Sequence, residues 1–224
     1  WHPEGYLRTS ARPFSLSLDD PSSHLTNDCM QKKQTDYGKF ELGNKVMYQD
    51  FEKYLSNQGY ERQWRTKVIP RMAEISLHLV KACCRKVDPR RRILSFELVG
   101  LDFLVDSDFE AILIEANNSP SLVKSENSQL NLLLEDLIEE VFQIAVDPLF
   151  PPPPEYLVSQ KSSNPLNTNR FRLIFDEEKD GLPDLGDPNT YGYTPATRQA
   201  QPKMAEFPNF VSKSLKLPSS SQTN

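Results

Sequence analysis

Long apolar runs are missing from this chain: stretches such as Leu98 to Val105 and Ala111 to Ala116 fall well short of the roughly 20 residues a membrane helix needs. The sequence therefore predicts no bilayer span and no membrane partner. Cysteine is scarce as well. The three cysteines, Cys29 alone and Cys83 next to Cys84, lack the spacing of a disulfide framework or a zinc site. That argues for a reducing, cytoplasmic compartment. Positive charge is not in excess, since 26 Lys and Arg against 31 Asp and Glu leave a net charge of −5. A general nucleic-acid binder is excluded on that balance. The first residue is Trp1 rather than Met, and no basic stretch leads into an apolar signal core, so the chain reads as an excised fragment.

What is present divides the chain in two. Of its 18 prolines, 11 fall in residues 151–224, beginning with the run Pro151 to Pro154. The composition predicts a folded part over residues 1–154 and a Pro/Ser-rich, largely disordered tail over residues 155–224, whose one strand-like piece is Phe171 to Phe175. Basic and acidic residues balance after residue 150, so the negative charge belongs to the folded part. The proline run itself reads as a rigid terminator, because it lacks the basic anchors of a polyproline ligand.

Within the folded part, Glu4 to Thr9 reads as the end of a strand and Asp19-Asp20-Pro21 as a turn. Asn44 precedes a helical pattern through Met47, Phe51, Tyr54 and Leu55 that stops near Gly59. Val68, Met72, Ile75, Leu79 and Val80 mark a second helix with Pro70 in its first turn, broken at Asp88-Pro89. A last helix spans about 128–146, with Leu130, Leu133, Leu134, Leu137, Val141, Phe142 and Ala145 on one stripe. Cys83 and Cys84, on the second helix, read as inert buried thiols.

The stretch Phe96 to Asn117 holds two strand-like runs around the connection Ser107-Asp108-Phe109-Glu110. A hairpin with that loop sets Asp106 against Ala111 and Asp102 directly opposite Glu115. Strict alternation then puts Leu101, Phe103, Val105, Ile112, Ile114 and Ala116 on a core face. The other face carries Asp102, Glu115 and Asn117. Like charges directly opposite need a cation, a proton or a basic side chain between them. Mg²⁺, which favours hard oxygens and a carboxylate or two beside phosphate, fits that face. A salt-bridged pair on an exposed sheet fits the spacing equally.

Four motifs add to this reading. FELVGLDFLVD (96–106) followed by ILIEANNSPSL (112–122) resembles the carboxy-terminal signature of the tubulin tyrosine ligase and ligase-like family. HLTNDCMQKKQTDYGKFELGN (24–44) is similar to the segment that supplies that family's nucleotide contact, and EGYLRTS (4–10) to the strand whose Arg meets phosphate. FPPPP (150–154) resembles the end of its catalytic domain. The resemblance covers residues 1–154 and implies the carboxy-terminal lobe of an ATP-grasp fold: α/β in class (α+β), mostly antiparallel sheet with packed helices.

Residue by residue, the resemblance implies Asp102, Glu115 and Asn117 as Mg²⁺ ligands and Arg8 as a phosphate-side cation. It places His24, Leu25, Thr26 and Asn27 along the ATP site and Ile114 against the nucleotide. On their own, Arg8 reads equally as a surface strand-end arginine, and His24, Thr26 and Asn27 as turn or cap residues. The implied cofactors are ATP and Mg²⁺, and the implied partners are the acidic tail of tubulin and a free amino acid on the microtubule cytoskeleton. The implied reaction needs no Ser, Cys or His nucleophile, because fixed cations stabilise charge on phosphate. Residues 24–44 and the proline run put tyrosine first as the transferred amino acid. Asn118-Ser119-Pro120-Ser121-Leu122 resembles instead the glutamylating and glycylating branches, and a catalytically inactive tubulin-binding scaffold is a third reading. The ATP-grasp amino-terminal lobe is expected to lie outside this chain, so the chain alone is expected to be inactive. Gln31, Lys32 and Lys33, with Arg90, Arg91 and Arg92, form basic runs that read first as solvated surface and second as a dock for an acidic tail.

Overall fold

The computed structural model describes residues 1–60, 62–87, 95–153 and 169–181. Strand β1 (Tyr6–Arg8) pairs antiparallel with β2 (Lys45–Met47), and β3 (Gly100–Val105) with β4 (Ala111–Asn117). Between β1 and β2 the chain makes a helical turn at Pro21–Ser23, the short α1 (Asp28–Gln31) and a second turn at Leu42–Asn44. Helices α2 (Tyr48–Asn57) and α3 (Ile69–Val87) follow β2, and α4 (Ser128–Ala145) follows β4. A last turn of helix, α5, covers Glu177–Asp180. The architecture is thus mixed, with helices beside small antiparallel sheets. No helix among the described residues is long and apolar enough to cross a membrane.

Sequence chemistry accounts for most of these boundaries. Asn127 caps α4, its side-chain oxygen accepting from the Leu130 amide at 3.1 Å. Gly59, at φ 82°, ends the α2 region in a conformation that favours glycine. Pro70 sits second in α3, and the turn just before it, Trp64–Val68, is widened so that the Ile69 amide reaches back to the Trp64 carbonyl. A proline ring collides with the carbonyl four residues earlier, and a widened turn moves that carbonyl aside.

The helix expected after Asn44 begins differently from the expectation. Asn44 does not cap a helix: it lies at φ 51°, accepts from the Gly38 amide at 2.8 Å and exchanges hydrogen bonds with Thr9. Residues 45–47 are then taken by β1 as a strand partner, and the helix starts only at Tyr48.

The core gathers Leu55, Trp64, Val68, Ile69, Met72 and Ala111, with Leu7, Tyr48, Phe51, Phe103, Val105 and Phe109 packed against it. Trp64 is at its centre, meeting Tyr48 and Phe51 edge-on at 4.9 and 5.1 Å. One face of each sheet is therefore covered by α2 and α3, which leaves the opposite face of each free to carry polar groups.

Part of the stretch expected to lack order is built into the fold. The Arg170 guanidinium reaches Glu140 at 2.5 Å and Asp136 at 3.2 Å on α4, while the Asn169 amide donates to the Glu140 carbonyl and to Gln143. Arg172 and Trp1 exchange backbone hydrogen bonds at 2.8 and 2.9 Å, and Phe171 meets the His2 ring edge-on. The strand expected at 171–175 is not formed, and the segment makes no ladder beyond that exchange. The stripe read on α4 also changes. Glu140 is buried, whereas Phe142 is half exposed. Cys83 and Cys84 are free and partly buried, and their thiols donate to helix carbonyls. Arg90, Arg91 and Arg92, and the break at Asp88-Pro89, lie outside the described residues.

Candidate functional site

The β3–β4 hairpin sets Asp102 opposite Glu115, as the spacing predicts, but by a different route. The connecting loop is one residue longer on the β3 side. The Asp106 amide donates to the Glu110 carbonyl, and the Asp106 carboxylate accepts from the Asp108 and Glu110 amides at 2.9 and 2.8 Å. Phe109 turns the chain at φ 60°. Val105, not Asp106, therefore faces Ala111, and Phe103 faces Leu113.

A one-residue slip of this kind would send the whole of β4 to the wrong face. A bulge between Phe103 and Asp102, with Ile114 as the extra residue, restores the pairing of Asp102 with Glu115. The expected core face is corrected accordingly. Ala111 and Leu113 turn inward with Phe103 and Val105, whereas Ile112 and Ile114 are 45 % and 63 % exposed. Ile114 thus lies on the side of the hairpin that carries Asp102 and Glu115, where alternation alone had buried it.

On that side the polar groups are interlocked. The Asn117 amide donates to Glu115 at 3.0 Å. Burial, a hydrogen bond to Glu115 and the Glu115 charge together raise the Asp102 carboxyl above its ordinary value, and only the Arg8 charge opposes them. Arg8, at the end of β1, is thereby brought within electrostatic reach of the hairpin. Burial alone would lower its guanidinium, but the Tyr6 hydroxyl, Asp102 and Asp28 raise it. Among the described residues no three or more His, Cys, Asp or Glu side chains gather as a metal cluster. The donor set is two carboxylates and an amide, sparse for calcium or zinc and suited to a cation that keeps water and phosphate in its shell.

The 24–27 segment is placed by a residue that no sequence motif marks as structural. Gln31, read among surface charges, is completely buried. Its amide oxygen accepts from the Ala11 amide at 2.7 Å, and its nitrogen donates to the carbonyls of Ser22 and Leu25 at 2.9 and 2.6 Å. One side chain thus ties three stretches of irregular backbone together. His24 is engaged within its own loop, 2.9 Å from the Ser17 carbonyl and edge-on to Phe14. Leu25 is exposed and Thr26 half-buried, and the Asn27 carbonyl starts α1 while its side chain makes no cap. Asp28, next in the chain, accepts from Tyr37 at 2.9 Å and from Lys32 at 2.7 Å, and its charge reaches Arg8. The structure so gathers Arg8, Asp102, Ile114, Glu115 and Asn117, and links them through Asp28 to the segment beginning at His24.

Residues 1–154 match the family model described as the Tubulin-tyrosine ligase family. The chain belongs to that family. Among its relatives in the family, the protein monoglycylase TTLL8 of Homo sapiens is 34 % identical over 151 residues, covering 66 % of this chain and 17 % of that protein. Tubulin glycylase 3A of Drosophila melanogaster is 32 % identical over 174 residues, 69 % of this chain and again 17 % of the relative. The inactive polyglycylase TTLL10 of Homo sapiens is 29 % identical over 188 residues, 81 % of this chain and 27 % of its own length. That last match is too long to end at residue 154 and reaches the segment docked on α4. The chain spans less than a third of the length of each of these relatives. All three carry glycylase names, whereas the sequence motifs put tyrosine first.

Proposed function

We propose that this chain supplies the metal- and phosphate-binding face of an ATP-grasp ligase that joins glycine to a side-chain carboxylate of tubulin. The observation that carries the reading is the pairing of Asp102 with Glu115 beside Asn117, in electrostatic reach of Arg8. Two carboxylates facing each other across strands need a cation, a proton or a basic side chain to offset them, and with a cation Asp102, Glu115 and Asn117 would hold Mg²⁺. Bound there, the metal would neutralise charge on the terminal phosphates of ATP.

The chemistry divides between the two cationic elements. An acceptor carboxylate oxygen attacks the terminal phosphorus of ATP, the bond to the bridging oxygen breaks, and ADP leaves. The amine of the incoming amino acid then attacks the acyl carbon, phosphate leaves with the C–O bond electrons, and the amine loses a proton. In both steps negative charge grows on phosphate oxygens, where Arg8 would stabilise it. Exposed Ile112 and Ile114 offer an apolar surface for the nucleotide. Glycine is placed ahead of tyrosine because the similar relatives are named glycylases, and tubulin on the microtubule cytoskeleton is the acceptor that fits the family. The likeness to an inactive polyglycylase keeps a scaffold role as the second reading.

The test uses the protein at its full natural length, tubulin and Mg-ATP, with labelled glycine, tyrosine and glutamate in parallel. Glycine incorporation is the expected result. Glu115→Gln should cut it by about 100-fold or more while leaving the unfolding transition in place. Wild-type turnover in that variant would remove the metal assignment, and labelling by none of the three would favour the scaffold.

A further inference from the structure

The register of β1 and β2 places two cations directly across from one another, Arg8 opposite Lys45. On the other face of the same pair, Leu7 packs against the core. Such a like-charge pair, with side-chain origins about 5 Å apart, destabilises a sheet. Among the described residues neither Arg8 nor Lys45 forms an ion pair. Asp28, a carboxylate that feels the charges of both Lys45 and Arg8, is already engaged by Lys32 and the Tyr37 hydroxyl. The acidic residues of the hairpin are paired with each other. Among the described residues, both cations of the strand pair next to the Asp102–Glu115 face are therefore left without a direct ion pair.

Lys45 is also held in place. Its carbonyl accepts from the Asn127 side chain, the cap of α4, at 3.5 Å, and Asn44 before it is pinned to Gly38 and Thr9. The Lys45 ammonium and the Tyr37 hydroxyl both lie beside Gly43, 4.0 and 3.5 Å from where a side chain there would begin. The cation is therefore kept beside Gly43, the position of that turn that has no side chain.

We propose that Lys45 binds the carboxylate of the incoming amino acid. The inference rests on the ligase reading above. Glycine has two polar handles only. Its amine must be free to attack the acyl carbon, so recognition falls to its carboxylate, two bonds away. That carboxylate comes within a few ångströms of the departing phosphate, and a second cation one cross-strand step from the phosphate-side arginine meets it. No other anion of the reaction needs that position, since the acceptor carboxylate is covalently spent in the first step and the phosphates face Arg8 and the metal.

Lys45→Met and Lys45→Gln, made in the full-length protein, should raise the KM for glycine about tenfold or more, the loss of one charged hydrogen bond. The KM for ATP should stay within about twofold, because the contact is to a different substrate. Lys45→Arg should recover most of the glycine affinity, and the unfolding midpoint of each variant checks that β2 is intact. An unchanged KM for glycine, or one that rises in step with that for ATP, overturns the assignment. If the wild type transfers a different amino acid, the same KM comparison is made with it, since every free amino acid carries the carboxylate. Failure of the wild type to transfer any amino acid overturns the ligase reading and the inference together, whereas active wild type with unaffected Lys45 variants overturns the inference alone.

Discussion

Burial pushes the Tyr48 phenol up to about 12 from an ordinary value near 10, with the neighbouring Glu4 charge adding to the effect. The ring is partly buried between Gly5 and Trp64, which disfavours the ionised form. Its sign is fixed by linkage. The unfolded chain gives up this proton first, so the contribution to stability is complete below pH 10 and is lost as pH rises toward 12. Between pH 9 and pH 11 the wild type should lose about 1 kcal/mol more than Tyr48→Phe, which keeps the packing and removes the ionisation. Denaturant midpoints at the two pH values measure the difference, and parallel slopes would show the phenol is not shielded. At the same scale, Gln31 shows that an amide can be worth more as a tie than as a surface group. Its three hydrogen bonds go to backbone groups that no helix or strand satisfies.

At the scale of elements, the β3–β4 hairpin is decided by the residues at its two ends. Asp106 and Phe109 lengthen the loop at one end, and the bulge at Ile114 compensates. At the other end Gly100 pairs with Asn117 and lets the returning chain close over the sheet. A side chain on Gly100 would begin 2.9 Å from the Pro120 ring. Gly100→Ala should therefore cost about 1–3 kcal/mol through displacement of Pro120, seen as a lower unfolding midpoint. Because Asn117 leads into the displaced turn, the same variant should also weaken Mg-ATP binding. An unshifted midpoint would mean that the turn has room to move.

Across the whole molecule, the segment around Arg170 joins elements far apart in sequence. Its guanidinium lies between Asp136 and a Glu140 carboxylate whose side chain is only 6 % exposed and also faces His2 at 3.3 Å. Removing the partner of a buried charge is more costly than the pair itself is favourable. Arg170→Ala should destabilise the domain by about 2–3 kcal/mol in denaturant unfolding, reduced from the fully buried case because Arg170 is partly exposed. A neutral result would show that the segment rests on the surface without holding it. The match to the human polyglycylase relative, which continues past residue 154, gives a reason to retain this segment when the domain is expressed.

Features that depend on near neighbours could be read from residue order. Helical spacing located α4, Pro70 and Gly59 bounded α3 and α2, and the motif residues located the hairpin with its Asp102–Glu115 pair. Those features follow from local propensity and from patterns within about twenty residues. Tertiary structure alone decided the rest. The slip and bulge that expose Ile114 depend on loop hydrogen bonds that alternation does not encode. Lys45 meets Arg8 only because β2 returns from 37 residues away to pair with β1. Burial of Glu140 depends on Arg170, which arrives 30 residues later to neutralise it. In each case the deciding contact is long-range, and no local pattern carries a signal for a partner that only the folded chain brings near.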